Sequence, residues 1–326
     1  MNRSFTVATL NVDNLGRRHG RILPLDAHIA MLRPLLAALA ADVLCLQEVN
    51  AQKLSATGVR SLADLTALLS GTRYEAYARI SSVTPGGGLA DIHNLVVLSR
   101  LPVLSHRQYW QDLVSAPDYR VVTASPPDMA ARPVAWDRPA LHLELDLNGR
   151  VLHVFNLHLR APLAAAIQGQ KIDADRWRSA SGWAEGFMIA ALKRAGQALE
   201  VRLAVDRILD AAPDALIVVA GDFNADAHEM PLRILCASQD DVQTPELADR
   251  SLVPVEETLP VAERYTIRHA GAKLMVDHLL VSQALRPLLI GASIRNRDVP
   301  DDTTPAGARL PGPAHAAFLA EFAVPE

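Results

Sequence analysis

The sequence predicts an α/β domain in which two β-sheets pack together under a cover of helices. Short apolar runs bounded by turn residues recur along the chain, an Asn148-Gly149 pair joins two of them, and a long amphipathic stretch at 184–209 precedes another. No internal repeat or low-complexity linker divides the chain, so one domain is expected over residues 1–326, with a helical insert around 161–212.

The elements follow in order. Residues 5–10 read as a buried strand. Residues 26–40 carry Ile29, Leu32, Leu36 and Leu39 at helical spacing, with Asp26 placed to cap the start. Residues 42–48 form a second apolar strand and 62–69 a second helix. Strands are expected at 94–99 and 103–109 around an Arg-Leu-Pro turn. Residues 140–147 and 150–157 flank Asn148-Gly149, the strongest hairpin signal, and Leu141, Leu143, Leu145 and Leu147 alternate as one buried face requires. The pattern turns helical between 161 and 212, and strands return at 216–220, 274–282 and 316–324. Residues 115–133 and 298–313, rich in Pro, Gly, Asp and Thr, are expected as surface loops. Gly86-Gly87-Gly88 lacks the Lys-Ser/Thr and helix start of a phosphate loop and reads as a flexible tip.

With 326 residues, 50% of them hydrophobic and 21% charged, the chain can bury a large core. A net charge of -4 provides no global positive field toward nucleic acid or anionic membrane, leaving a local basic groove as the only electrostatic route. Cys45 and Cys236 lie in apolar surroundings and read as buried thiols rather than a disulfide. The first residues lack a signal peptide's layout, and no apolar run approaches the roughly 20 residues of a membrane span. A soluble cytoplasmic protein is the resulting expectation.

Function is concentrated where apolar strands run into polar side chains: Asn11 and Asp13 after Leu10, Glu48 after Leu46-Gln47, His158 after Leu157, Asp222 and Asn224 around Phe223, and Asp277-His278 after Val276. Such groups are costly to bury unless paired or metal-bound. Taken singly, Asn11 and Asp13 also fit a turn, Asp222-x-Asn224 an Asx turn, and His158 a structural histidine. On an extended segment Asp222 and Asn224 share a face while Phe223 points into packing. His153, at odd spacing from His158, faces the other side.

At these positions the chain resembles the endonuclease/exonuclease/phosphatase superfamily. The matching stretches are TLNVDNL (9–15), LCLQEVN (44–50), FNLHL (155–159), VAGDFNA (219–225), VDHLLVS (276–282) and AHAAFLAEF (314–322), in the family's order over nearly the whole chain. The resemblance implies a four-layer sandwich, two mixed sheets face to face with helices outside. It implies a metal held by Glu48 with Asn11 assisting, Mg²⁺ or Mn²⁺ given the hard oxygen donors. It also implies a catalytic set of His158, Asp222, Asn224, Asp277 and His315. In that set Asp222 positions the attacking water, Asn224 and His158 contact phosphoryl oxygens, and Asp277 holds His315. The family's aspartate before the last histidine is replaced by Ala314, which bears on whether one metal or two is bound; Asp301 and Asp302 are the nearby carboxylates that could reach in.

The expected activity is metal-dependent hydrolysis of a phosphoester by in-line attack of water. Nucleic acid is one candidate substrate. A small molecule or lipid-like headgroup is the other, and a binding module that kept the fold without turnover is the non-enzymatic alternative. Lys171, Arg176, Trp177, Arg178, Trp183, Lys193 and Arg194 in the insert either cap a phosphate-bearing substrate or form the solvated face of packed helices.

Overall fold

The computed structural model describes residues 4–16, 23–53, 58–303 and 312–325. Twelve strands form two six-stranded mixed sheets. We number them β1 (Ser4–Leu15), β2 (Val43–Val49), β3 (Ala78–Ser81), β4 (Asn94–Ser99), β5 (Val103–Tyr109), β6 (Ala140–Leu147), β7 (Arg150–His158), β8 (Leu216–Asp222), β9 (Leu252–Pro254), β10 (Asp277–Ser282), β11 (Leu289–Ile294) and β12 (Phe318–Ala323). The first sheet runs β11-β12-β1-β2-β4-β3 and the second β9-β10-β8-β7-β6-β5. The helices are α1 (Leu25–Leu39), α2 (Ala63–Leu69), α3 (Ala180–Ala211), α4 (Met230–Cys236) and the single turn α5 (Gln239–Val242).

Three apolar cores separate four layers. Phe5, Val7, Cys45, Leu143, Val154, Val218 and Phe322 fill the space between the sheets. Ala8, Leu10, Leu44 and Leu46 lie on the outer face of the first sheet, under Leu32 and Leu36 of α1 and Leu65 of α2. Phe155, Leu157, Ile217 and Val219 lie on the outer face of the second, under Val201 and Val205 of α3 and Leu232 of α4. The expected four-layer sandwich is therefore the fold. Period-two alternation explains why single strands feed two cores: Leu44 and Leu46 point out while Val43 and Cys45 point in. Cys45 and Cys236 are buried and free, as expected.

Local expectations are corrected in three places. The N-cap of α1 is Pro24, with no side-chain cap; Asp26 sits in the first turn, where its charge favours the helix dipole instead. Within 161–212 only Ala180–Ala211 is helical, because Ser179 Oγ accepts from Gly182 N at 3.0 Å and starts α3 there. Strand β10 begins at Asp277, and Ala272–Leu274 pairs with Ile267–His269 in a small separate hairpin. The loop at 115–133 holds only a two-residue pairing, Asp118–Tyr119 with Arg132–Pro133. Glu185 of α3 anchors it, accepting from Tyr119 Oη at 2.8 Å and Thr123 N at 2.8 Å. Residues 304–311 of the other expected loop lie outside the described residues.

Two side chains tie the sheets across their shared core. Asn156 of β7 donates to Leu46 O at 3.0 Å and Val96 O at 3.1 Å and accepts from Gln47 Nε2 at 2.7 Å. The polar Gln47 and Asn156 of the sequence motifs are thus an inter-sheet bridge.

Candidate active site

Strand directions bring the polar strand ends together. β1 and β2 are parallel, as are β7 and β8, so Asn11, Glu48, His158 and Asp222 all lie toward C-terminal ends. β10 runs antiparallel to β8 and opens with Asp277 opposite Asp222; β12 runs antiparallel to β1, with His315 just before it. Six of the seven expected residues thereby converge from both sheets, and Asn224 borders them.

Asp222 is the centre. Its Oδ2 accepts from Asn11 Nδ2 at 3.0 Å and lies 3.5 Å from His158 Nε2, which is itself 3.7 Å from Glu48 Oε1. Asp222 belongs to two groups with ligand atoms within 4.8 Å of one another: Glu48, His158 and Asp222, and Asp222, Asp277 and His315. His315 Nδ1 donates to Asp277 Oδ2 at 2.8 Å, and the Asp277 backbone N–H donates to Thr266 Oγ1 at 3.1 Å.

Electrostatics divide these groups. Burial, aided by the charges of Asp277 and Glu48, pushes the Asp222 carboxyl up to about 7. His315 is raised to about 10: burial opposes its charge, but Asp277, Asp222 and Glu48 prevail. His158 is held well below its ordinary value by burial, with Arg138, His93 and His315 acting the same way, so it is neutral. Three carboxylates thus converge in a largely buried place, with His315 and Arg138 as adjacent cations. Asp277 Oδ1 is buried with no hydrogen-bond partner. Oxygen donors converging with an unmet acceptor fit a hard divalent cation.

Backbone strain aims several of these groups. Glu48 has φ +61°, interrupting the pleat that would point it outward with Leu44 and Leu46. Its Oε2 accepts from Asn14 N at 3.0 Å and Asn14 Nδ2 at 2.7 Å, with Asn14 itself at φ +56°. Asn224 has φ +49°, so it does not share an extended face with Asp222 as expected. Its backbone N–H donates to Asp222 Oδ1 at 2.8 Å, and its side-chain amide donates to Leu159 O at 3.0 Å. The Asx turn and the buried carboxylate therefore coexist. Phe223 is buried as expected. Just before Asp222, Gly221 has φ +144°, and a Cβ there would lie 2.1 Å from Leu157 O.

Other expected residues fall into place around this centre. The exposed Asp13 turns the chain, its N–H donating to Asn11 Oδ1 at 3.0 Å. His278 points away, pairing with Glu256 and contacting Ala225 O at 2.8 Å. His153 faces opposite to His158, as its spacing requires. Asp301 and Asp302 do not replace the carboxylate missing at Ala314: Asp301 binds the Ala270 and Gly271 N–H groups and Asp302 pairs with His269. In the insert, Arg194 donates to Asn224 O at 2.6 Å, Lys193 pairs with Asp137 at 2.5 Å, Arg176 with Asp173 at 2.6 Å, and Lys171 lies 4.6 Å over the Trp177 ring. Packing and internal pairing account for these cations better than capping a substrate does.

Sequence reasoning missed His93, Asn14, Arg138 and Arg160. His93 Nε2 contacts Asn14 Oδ1 at 3.0 Å and its Nδ1 lies 3.3 Å from an Arg138 nitrogen. Arg138 donates to the His158 carbonyl at 3.1 Å. Beside them opens a cavity of about 280 Å³, whose lining includes Ser82, His93, Trp110, Arg138 and Arg160. Asn14 and His93 flank apolar strands, a signal present in the sequence, whereas the two arginines sit in loops without any.

A family model described as the Endonuclease/Exonuclease/phosphatase family matches residues 8–298. Among solved structures, truncated TDP2 of Caenorhabditis elegans is 17% identical with a TM-score of 0.55, covering 98% of this chain and 97% of that one. A mannosyl-6-phosphatase of Bacteroides thetaiotaomicron VPI-5482 is 13% identical with a TM-score of 0.57, covering 97% and 98%. An endonuclease/exonuclease/phosphatase from Bacteroides vulgatus is 14% identical with a TM-score of 0.57, covering 99% and 100%. At these identities the likeness is one of fold. No curated protein matches the chain.

Proposed function

The chain belongs to the endonuclease/exonuclease/phosphatase family, whose members hydrolyse phosphoesters, and on that premise we propose a phosphoesterase dependent on Mg²⁺ or Mn²⁺. The observation that carries this proposal is the convergence of Glu48, Asp222 and Asp277 with His158 and His315 around one point between the sheets.

Glu48, with Asn11 assisting, holds the cation, which when bound neutralises charge on the phosphoryl group and polarises it toward attack. Asp222, aimed by Asn11 and by the Asn224 N–H, orients the attacking water. His315, kept charged by Asp277, stabilises phosphoryl oxygen charge as the in-line displacement proceeds. Neutral His158 donates a hydrogen bond from Nε2 to a phosphoryl oxygen. Asn224 contacts the phosphoryl group as its amide exchanges Leu159 O for substrate.

The cavity beside His93 and Arg138 favours a compact phosphoester over an extended nucleic-acid strand. Its size suits a small molecule, Trp110 offers an apolar wall, Arg138 a cation, and the net charge of -4 provides no track for a polyanion. The likeness to a mannosyl-6-phosphatase places sugar phosphates on the panel that tests this, beside nucleotides, small diesters and DNA or RNA. We expect Mg²⁺- or Mn²⁺-dependent turnover of a compact ester, lowered at least about 10³-fold in Glu48→Ala and in Asp222→Ala. Full activity in both variants would sink the assignment. Metal binding without turnover of any ester would make the chain a binding module, and turnover of nucleic acid alone would overturn the compact substrate.

A further inference from the structure

A second set of metal-binding side chains lies on the β6–β7 hairpin, away from the strand-end cluster. Glu144 stands opposite His153 across the hairpin, and His142 lies two residues earlier on the same face. This is the outer face, since Leu141, Leu143, Leu145 and Val154 fill the core between the sheets. His142 Nε2 lies 3.2 Å from His153 Nδ1, and His153 Nδ1 lies 3.9 Å from Glu144 Oε1. All three ligand atoms fall within 4.8 Å of one another.

These spacings match a particular kind of ion. A tetrahedral zinc with bonds of about 2.0–2.1 Å separates its ligand atoms by roughly 3.4 Å, and two imidazoles with one carboxylate are a familiar zinc donor set. A hard cation such as Mg²⁺ prefers oxygens and suits the strand-end cluster instead.

The surroundings hold the donors in place. His142 is buried and its ring stacks on Phe155 at 4.1 Å with a 7° interplanar angle. Ser105 Oγ donates to Glu144 Oε2 at 3.0 Å, so Oε1 is the oxygen turned toward His153. The nearby cation, Arg107, places its guanidinium 4.4 Å over the Tyr109 ring. The side chain of His153 is 12% exposed and that of Glu144 38% exposed, which leaves one side open for ion entry and a solvent ligand.

We infer that His142 Nε2, His153 Nδ1 and Glu144 Oε1 form a site for Zn²⁺ or a similar transition-metal cation, with solvent as fourth ligand. It is separate from the proposed catalytic centre, since His153 precedes His158 by five residues, roughly 17 Å along a strand, and faces the other way. On binding, the proton that one imidazole donates to the other moves to the outer nitrogen of its own ring, freeing both facing nitrogens for the metal. The ion would clamp the β6–β7 hairpin and, through Ser105, edge strand β5.

The test is a Co²⁺ titration of chelator-treated protein, read by visible absorption. It uses a background carrying Glu48→Ala and Asp222→Asn, which breaks both strand-end groups by removing Glu48 and the carboxylate they share. One equivalent should bind with the intense bands of four-coordinate cobalt and be displaced by Zn²⁺. Adding His153→Gln or Glu144→Gln should weaken binding at least about tenfold, with far-UV circular dichroism unchanged. If His153→Gln fails to fold, the more exposed Glu144→Gln decides. Absence of the bands in the background protein, or binding undiminished in folded Glu144→Gln, would overturn the site.

Discussion

Asn11 Nδ2 donates to Asp222 Oδ2 across 3.0 Å, joining the end of β1 in one sheet to the end of β8 in the other. The bond aims the carboxylate from the opposite sheet. Asn11→Ala should lower kcat by about 10- to 100-fold with far less change in KM, because substrate contacts remain while the carboxylate loses its support. Asn11→Asp should lose more, since it sets a like charge against Asp222. Steady-state kinetics at saturating Mn²⁺ decides, and an unchanged kcat in Asn11→Ala would remove Asn11 from the site.

The Gln47–Asn156 bridge makes a prediction about stability. Asn156→Leu keeps the branched shape but removes donors to Leu46 O and Val96 O and the 2.7 Å acceptor of Gln47 Nε2, all in the core. A loss of about 2–3 kcal/mol is expected from stranding buried polar groups. Urea unfolding with an unchanged m-value would register it as a lower midpoint. A midpoint equal to wild type would mean that the sheets do not depend on the bridge.

Gly221 tests whether backbone geometry sets the position of Asp222. An alanine would have to adopt φ +144° and would bring its Cβ to 2.1 Å from Leu157 O on the neighbouring strand. Strain and displacement together should cost at least about 3 kcal/mol. Because the shift falls on the residue before Asp222, hydrolysis should fall further than the folded fraction does. Parallel measurement of unfolding and of kcat separates the two effects.

These residues also show what was legible in the sequence. Asn11, Glu48, His158, Asp222 and Asp277 stand out because each adjoins an apolar run, and burying a polar group there requires a reason. Strand alternation gave the directions of Phe223 and His153 but not those of Glu48 and Asn224. Alternation places Glu48 outward and Asn224 beside Asp222, but φ values of +61° and +49° redirect both. Such conformations arise from tertiary contacts, such as the Asn14 bonds to Glu48, that no local pattern encodes.

The strands that went unforeseen, β3, β9 and β11, are all sheet edges. An edge strand pairs on one side only and is less enclosed, so its apolar signal is weak: β11 has no fully buried residue, and β9 ends in Pro254. The start of α3 was obscured because residues 161–179 pack without regular structure, while the Ser179 cap that sets the true start is a single residue.

His142 gives the pH prediction. Burial, with contributions from His153 and Arg107, lowers its imidazole to about 3, against 6.5 in an unfolded chain. Below pH 6.5 the unfolded chain takes up a proton that the folded protein refuses, so stability is complete above 6.5 and declines as the pH falls toward 3. The group alone should remove about 2 kcal/mol between pH 7 and pH 5. His142→Phe, which can keep the stack on Phe155, lacks the proton and should lose that much less over the same interval. Denaturant unfolding at the two pH values, with a chelator present so that metal binding does not contribute, measures the difference. Parallel pH dependence in the two proteins would mean that His142 is solvated enough to titrate normally, contrary to its packing against Phe155.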